Sequence, residues 1–216
     1  MNRRPIRLLT AAITASAALL LTACGSGGGD KDSSDKIEGA GDGGSKASAS
    51  ADPSNGSGKA GRPTIKLPSS FKMEFVGWTN SDPKLQAILD DGKEALRADH
   101  AAIIEGDPDA SYVKFYNNPT SEASSKKWIK GFVDKDLTLT GEARISKPQV
   151  RINSTGSGIL FYCMDESKGF TKNLKTKEVE GTPKDQSPRV QYQTRLDRTK
   201  DGVWKTSSST TKRGGC

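Results

Sequence analysis

The sequence predicts an α+β fold in which one long helix and one shorter helix pack in a curved antiparallel sheet. Three observations lead there. Apolar residues recur at helical spacing between about residues 83 and 133, then switch to strand alternation from Leu137 onward. The helices come first and consecutive hairpins follow, the order expected when helices cover one face of an antiparallel sheet. All thirteen aromatic residues of the 216, from Phe71 to Trp204, lie after position 70. The first third therefore lacks the side chains for a packed core, and one domain is expected over residues 71–216.

Ahead of that domain, the sequence reads as an address and a tether. Arg3, Arg4 and Arg7 surround a short basic segment, and the apolar run from Leu8 to Leu21 is too short for a bilayer core that needs about 20 residues. Residues 1–23 are therefore read as a signal peptide, with Arg3-Arg4 leaving both general and twin-arginine export open. The run ends in Leu21-Thr22-Ala23-Cys24-Gly25, which resembles the lipobox of bacterial lipoproteins. That resemblance implies a diacylglycerol-modified Cys24 as the mature amino terminus and a lipid-anchored protein on the extracytoplasmic face of the cell membrane. An ordinary signal peptide with an incidental cysteine is the alternative. Residues 24–70 are expected to form a flexible linker: between 25 and 62, eleven Gly and eight Ser fill half the positions.

Within the domain, Asp82-Pro83 opens the clearest helix, because Asp caps free amide groups and Pro has none to leave unpaired. Gly106 and Pro108 close it. Leu85, Leu89, Gly92, Leu96, His100 and Ile103 share one face, while Asp90, Asp91, Lys93, Glu94 and Arg97 are placed on the solvent side. A second helix is expected over about 121–133, with Trp128, Ile129, Phe132 and Val133 on one side. Strands are expected over 137–145, 150–152, 159–164, 170–179, 189–198 and 203–210, with turns at Lys147-Pro148, Gly156-Ser157-Gly158 and Lys200-Asp201-Gly202. Asp165-Glu166-Ser167 reads as a turn or cap after the central strand.

The long helix ending in Gly-Asp-Pro, the second helix, and the strands carrying Tyr162-Cys163-Met164-Asp165-Glu166-Ser167 and Gly202-Val203-Trp204-Lys205, with a terminal Cys216, resemble actinobacterial lipoproteins with a nuclear transport factor 2-like domain, also described as cystatin-like or SnoaL-like. The resemblance covers roughly residues 81–216. It implies a cone in which the sheet wraps the long helix, enclosing either a ligand pocket or plain core.

Several residues are candidates for chemistry. With Cys24 lipidated, Cys163 and Cys216 remain, and an exported chain meets conditions in which disulfides persist, so a bond between them is expected, with two free thiols as the alternative. His100, the only imidazole, would point into the cone of the resembling fold and serve there as an acid or base, or else sit hydrogen-bonded in the core. Asp99 falls on the wrong side of the helix to orient it. Trp128, Tyr162 and Tyr192 join His100 as candidate pocket residues, with simple packing as the competing role of the tyrosines. Lys168, Lys172, Lys175 and Lys177 make one hairpin basic, which suits either an anionic cell-wall polymer or a protected sheet edge.

Composition narrows the function. One histidine and three cysteines argue against a metal site, no phosphate-binding loop or nucleophile set is legible, and no cofactor is expected. The formal charge of +7 is spread without a basic, aromatic-interleaved stripe, which argues against a nucleic-acid partner. The expectation is a non-enzymatic envelope module that binds a small ligand, a wall component or an envelope protein. The alternatives are a SnoaL-like isomerase or dehydratase using His100, and a structural subunit of a membrane complex. The oligomeric state is left open.

Overall fold

A computed structural model describes residues 61–216. The expected signal peptide, Cys24 and the expected linker up to residue 60 lie outside the described residues. In chain order the elements are β1 (Phe71–Phe75), α1 (Pro83–Glu105), α2 (Ser111–Tyr116), α3 (Pro119–Val133), β2 (Leu137–Ile152), β3 (Gly158–Asn173), β4 (Val179–Glu180), β5 (Arg189–Arg198) and β6 (Trp204–Arg213). The fold is α+β, with the long helix packed against a curved, open sheet ordered β1-β2-β3-β5-β6, and β4 pairing the far end of β3.

The ends of α1 follow from local chemistry. The Asp82 side chain accepts the Lys84 amide at 2.8 Å, and Gly106 takes the left-handed conformation (φ 72°) that lets its amide reach back to Ala102 and Ile103. Asn118 caps α3 in the same manner through the Ser121 amide at 3.0 Å, with Pro119 in the first turn. The second helix thus begins two residues earlier than the spacing indicates.

Every pairing in the sheet is antiparallel except one. The edge strand β1, absent from the sequence prediction, runs parallel to β2 with Phe71 opposite Gly141 and Phe75 opposite Ile145. Five residues are too few to show a period, and a parallel partner some 70 residues away leaves no local signal. The short helix α2 was likewise not expected. Lys147-Pro148 does not break β2: the register slips between Ser146 and Gln149, and a bulge absorbs the proline, which has no amide to offer the ladder. Asp165-Glu166-Ser167 is no turn either. It lies inside β3 at a second slip, opposite Glu142 and Arg144, and β3 continues to Asn173. The strand expected over 170–179 is therefore the end of β3, a turn, and the start of β4. At Gly141 (φ 86°) an added Cβ would fall 2.2 Å from the Lys168 carbonyl oxygen, so only glycine permits the bend at this slip.

The main core lies between α1 and the concave face of the sheet and includes Phe71, Trp78, Ile88, Leu89, Ile145, Leu160, Tyr162, Met164, Leu196 and Trp204. Helix and sheet approach closely at Gly92, where an added Cβ would lie 2.8 Å from Leu160 Cδ2. Two expectations need correction at the edge of this core. Residues 62–70 belong to the domain and not to the linker: Ile65 is buried against Ala95, Ala98, Ala101, Tyr116 and Val203, and the Arg97 guanidinium donates to its carbonyl oxygen at 3.0 Å. The Gly/Ser composition in fact stops at Gly61, and the apolar Ile65 and Leu67 follow. Asp91 is also not on a solvent face. It is 1% exposed, receives Arg62 Nε at 2.7 Å and Nη2 at 3.0 Å, and accepts the Trp204 amide at 2.8 Å.

The Cys163–Cys216 disulfide is formed, with a Cα–Cα distance of 6.0 Å. Tyr162 and Met164 face the core, so Cys163 between them faces the convex side, where it holds the chain terminus against β3.

Candidate functional site

A cavity of about 720 Å³, open to solvent on one side, lies between α1, α3 and the concave face of the sheet. His100, Trp128, Tyr162 and Tyr192 all line it. The structure thus brings together the four residues that the sequence singled out for a pocket. Tyr162 and Tyr192 are direct cross-strand partners on β3 and β5, and their rings stack 4.9 Å apart and nearly parallel. Trp128, on α3, is 41% exposed and forms the mouth, edge-on to Phe132 and to His100. Leu96, Leu139, Ala143, Leu160 and Met164 supply the apolar floor.

His100 is held on one side by its own helix. Its Nδ1 lies 2.8 Å from the Leu96 carbonyl oxygen. A carbonyl can only accept, so Nδ1 carries the proton and Nε2 keeps its lone pair. Phe71 stacks on the ring at 5.8 Å, and burial lowers the imidazole pKa, outweighing the contrary effect of the Leu96 bond. The site therefore holds a neutral imidazole whose second nitrogen has no bond to a protein group.

Asp99 also lines the cavity. The expectation that it lies on the wrong side of α1 holds only with respect to orienting His100, since nothing connects the two side chains. Its Oδ2 accepts the Ser125 hydroxyl of α3 at 3.1 Å, and its Oδ1 is buried without a partner. Burial pushes this carboxyl up to about 7, against the opposing effects of Ser125 and the neighbouring Asn117 amide. Burial likewise raises the Tyr192 phenol to about 12 and holds Tyr162 well above its ordinary value, so both hydroxyls keep their protons at physiological pH.

Glu166, which the sequence assigns to a turn rather than to the site, lies on the β3 slip, and Arg213, which sequence reasoning missed, lies at the end of β6. They meet at 3.1 Å and both line the cavity. Small hydroxyl-bearing residues of α3 (Ser121, Ser124, Ser125) and β6 (Thr206, Ser207, Ser208, Ser209, Thr211) complete the lining. The signal for the β6 group was present in the uninterrupted run of Ser and Thr from 206 to 211.

Chemically, this is a mostly apolar, aromatic-walled chamber with a few hydrogen-bonding groups at fixed points. Among the described residues, no three His, Cys, Asp or Glu side chains gather to hold a metal ion, and no helix is long and apolar enough to cross a membrane. The basic hairpin residues Lys168, Lys172, Lys175 and Lys177 do not line the cavity.

No protein-family model and no curated protein sequence matches the chain. Among solved structures, it is similar to a protein from Catenulispora acidiphila at 10% identity and a TM-score of 0.43, covering 59% of this chain and 92% of that one. It is similar to the intermembrane-space region of the chloroplast protein ARC6 at 8% identity and a TM-score of 0.45, covering 62% and 99%. A third similar structure is ActVI-ORFA from Streptomyces coelicolor, at 12% identity and a TM-score of 0.41, covering 60% and 98%.

Proposed function

We propose that this chain is a lipid-anchored protein of the cell envelope, attached through Cys24 on the extracytoplasmic face, whose domain binds a small, ring-bearing, largely apolar ligand in the cavity between α1, α3 and the sheet. The observation that carries the reading is the cavity itself. Its volume of about 720 Å³ falls within the range of roughly 300–1,000 Å³ common for small-molecule sites, and its walls are aromatic with a few placed polar groups. The experiment is native mass spectrometry of the mature protein released from its membrane in mild detergent. A bound species of a few hundred daltons, lost on organic extraction and quenching tryptophan fluorescence on return, is the expected result. A protein that carries nothing, and whose tryptophans respond to no ring compound, overturns it.

A second reading is favoured by one observation. His100, a neutral imidazole whose Nε2 makes no protein hydrogen bond, lines the same cavity as the Asp99 carboxyl, which sits near 7. Those are the states wanted of a base and an acid at physiological pH, as a SnoaL-like isomerase or dehydratase would need. Turnover of a bound ligand that stops in His100→Gln while the ligand still binds would establish this reading over simple binding.

A further inference from the structure

The charge of the cavity runs against the charge of the chain. Lys and Arg outnumber Asp and Glu by 33 to 26 overall, yet three carboxyls, Asp99, Glu166 and Glu180, line the cavity against one guanidinium, Arg213, and no lysine does. Arg213 is engaged by Glu166 at 3.1 Å. Asp99 has no cation beside it. One of its oxygens takes the Ser125 hydroxyl, and the other is buried without a hydrogen-bond partner, the Asn117 amide being the nearby neutral group. A carboxyl taken out of water without a counter-charge is costly and is ordinarily paired. Trp128, Tyr162 and Tyr192 line the same cavity, with Tyr162 and Tyr192 stacked on one another, so the wall beside Asp99 is aromatic.

We propose that the ligand is an organic cation, a ring or chain bearing an amine, whose ammonium group is neutralised by Asp99. This rests on the pocket reading above and adds to it the chemical class of the ligand. The ammonium would supply the counter-charge that Asp99 lacks. The apolar part would lie along the aromatic wall toward Trp128 and the mouth, leaving the Glu166–Arg213 pair intact.

The test uses two probes of one shape and different charge, 1-naphthylmethylamine and 1-naphthylmethanol, titrated into the full-length protein at pH 7.5 and followed by tryptophan fluorescence and calorimetry. The amine is expected to bind at least about tenfold more tightly than the alcohol, a charge-assisted bond being roughly twice as strong as a neutral one. In Asp99→Asn, which keeps the side-chain shape, that preference should vanish while the alcohol binds within about threefold of wild type, which also shows that the cavity is still folded. Equal binding of the two probes, or a preference that survives in Asp99→Asn, overturns the cation proposal and leaves the pocket standing. If neither probe binds, the pocket reading falls and the cation proposal falls with it.

Discussion

The Ser125 hydroxyl reaches Asp99 Oδ2 at 3.1 Å, joining α3 to α1 across the floor of the cavity. It is a neutral bond to a carboxyl that burial has pushed up to about 7, and together with the Asn117 amide it does not restore the solvation of the ionised form. Since the folded state holds this proton more tightly than the unfolded chain, whose Asp titrates near 3.9, the contribution of Asp99 to stability falls as pH rises from about 4 to about 7. His100 works in the opposite sense, because its lowered pKa costs stability as pH falls below about 6.5. The other groups facing Asp99 are Asn117, Ser125, Tyr162 and Tyr192, none of which changes charge in this range. Asp99→Asn should therefore raise Tm by several degrees at pH 8 and leave it unchanged near pH 4.5. Thermal melts at both pH values check this, and a lower Tm at pH 8 contradicts it.

Two helical glycines should respond in opposite directions to alanine. At Gly131 nothing lies within 4 Å of an added Cβ, so Gly131→Ala should stabilise α3 by about 0.5–1 kcal/mol through helix propensity. At Gly92 the same methyl meets Leu160 Cδ2 at 2.8 Å. Overpacking costs about 1–3 kcal/mol, so Gly92→Ala should lose stability despite the same gain in propensity. Urea unfolding of the two variants gives the comparison.

Arg62 and Asp91 form a two-pronged ion pair in which the carboxylate is essentially sealed from solvent. Removing one partner of a buried pair leaves the other uncompensated, at about 3–5 kcal/mol. Asp91→Ala also orphans the Trp204 amide and should be the more damaging change. Arg62→Ala should cost less, because the Asp91 carboxylate it leaves behind still accepts the Trp204 amide. Equal unfolding midpoints for wild type and Arg62→Ala would show that the Arg62–Asp91 pair contributes nothing to stability.

Closing the 53-residue separation between Cys163 and Cys216 should contribute about 4 kcal/mol by the loop-entropy estimate. Peptide mapping without reductant should recover the two cysteines in one linked fragment. Cys216→Ala should lower the unfolding free energy measured in urea by an amount of that order, without altering α1.

The elements that could be read from the sequence are those whose determinants are local. The limits of α1 are written in Asp82, Pro83 and Gly106, and the alternation of β5 in Val190, Tyr192, Thr194 and Leu196. What escaped was set by distant chain. β1 is a strand because Gly141 to Ile145 accept it as a partner, and Asp91 is buried because Arg62, 29 residues earlier, folds over it. The site was legible in its aromatic wall and its histidine. It was not legible at Asp99, whose place is decided by α3 leaning over α1, nor at Glu166, which reaches the cavity only because the slip in β3 takes the place of a turn.

The seat of Arg62 and Ile65 on α1 also settles how the domain would take up tension. A pull on the chain from its amino-terminal side meets the Arg62–Asp91 clasp first and then the Arg97 bond to the Ile65 carbonyl, both footed on the helix. The β1–β2 ladder begins only at Phe71. The helix acts as a strain relief, as a clamp does for a cable, so the parallel edge strand, and Phe71 in the cavity wall behind it, would be loaded only after the clasp has failed.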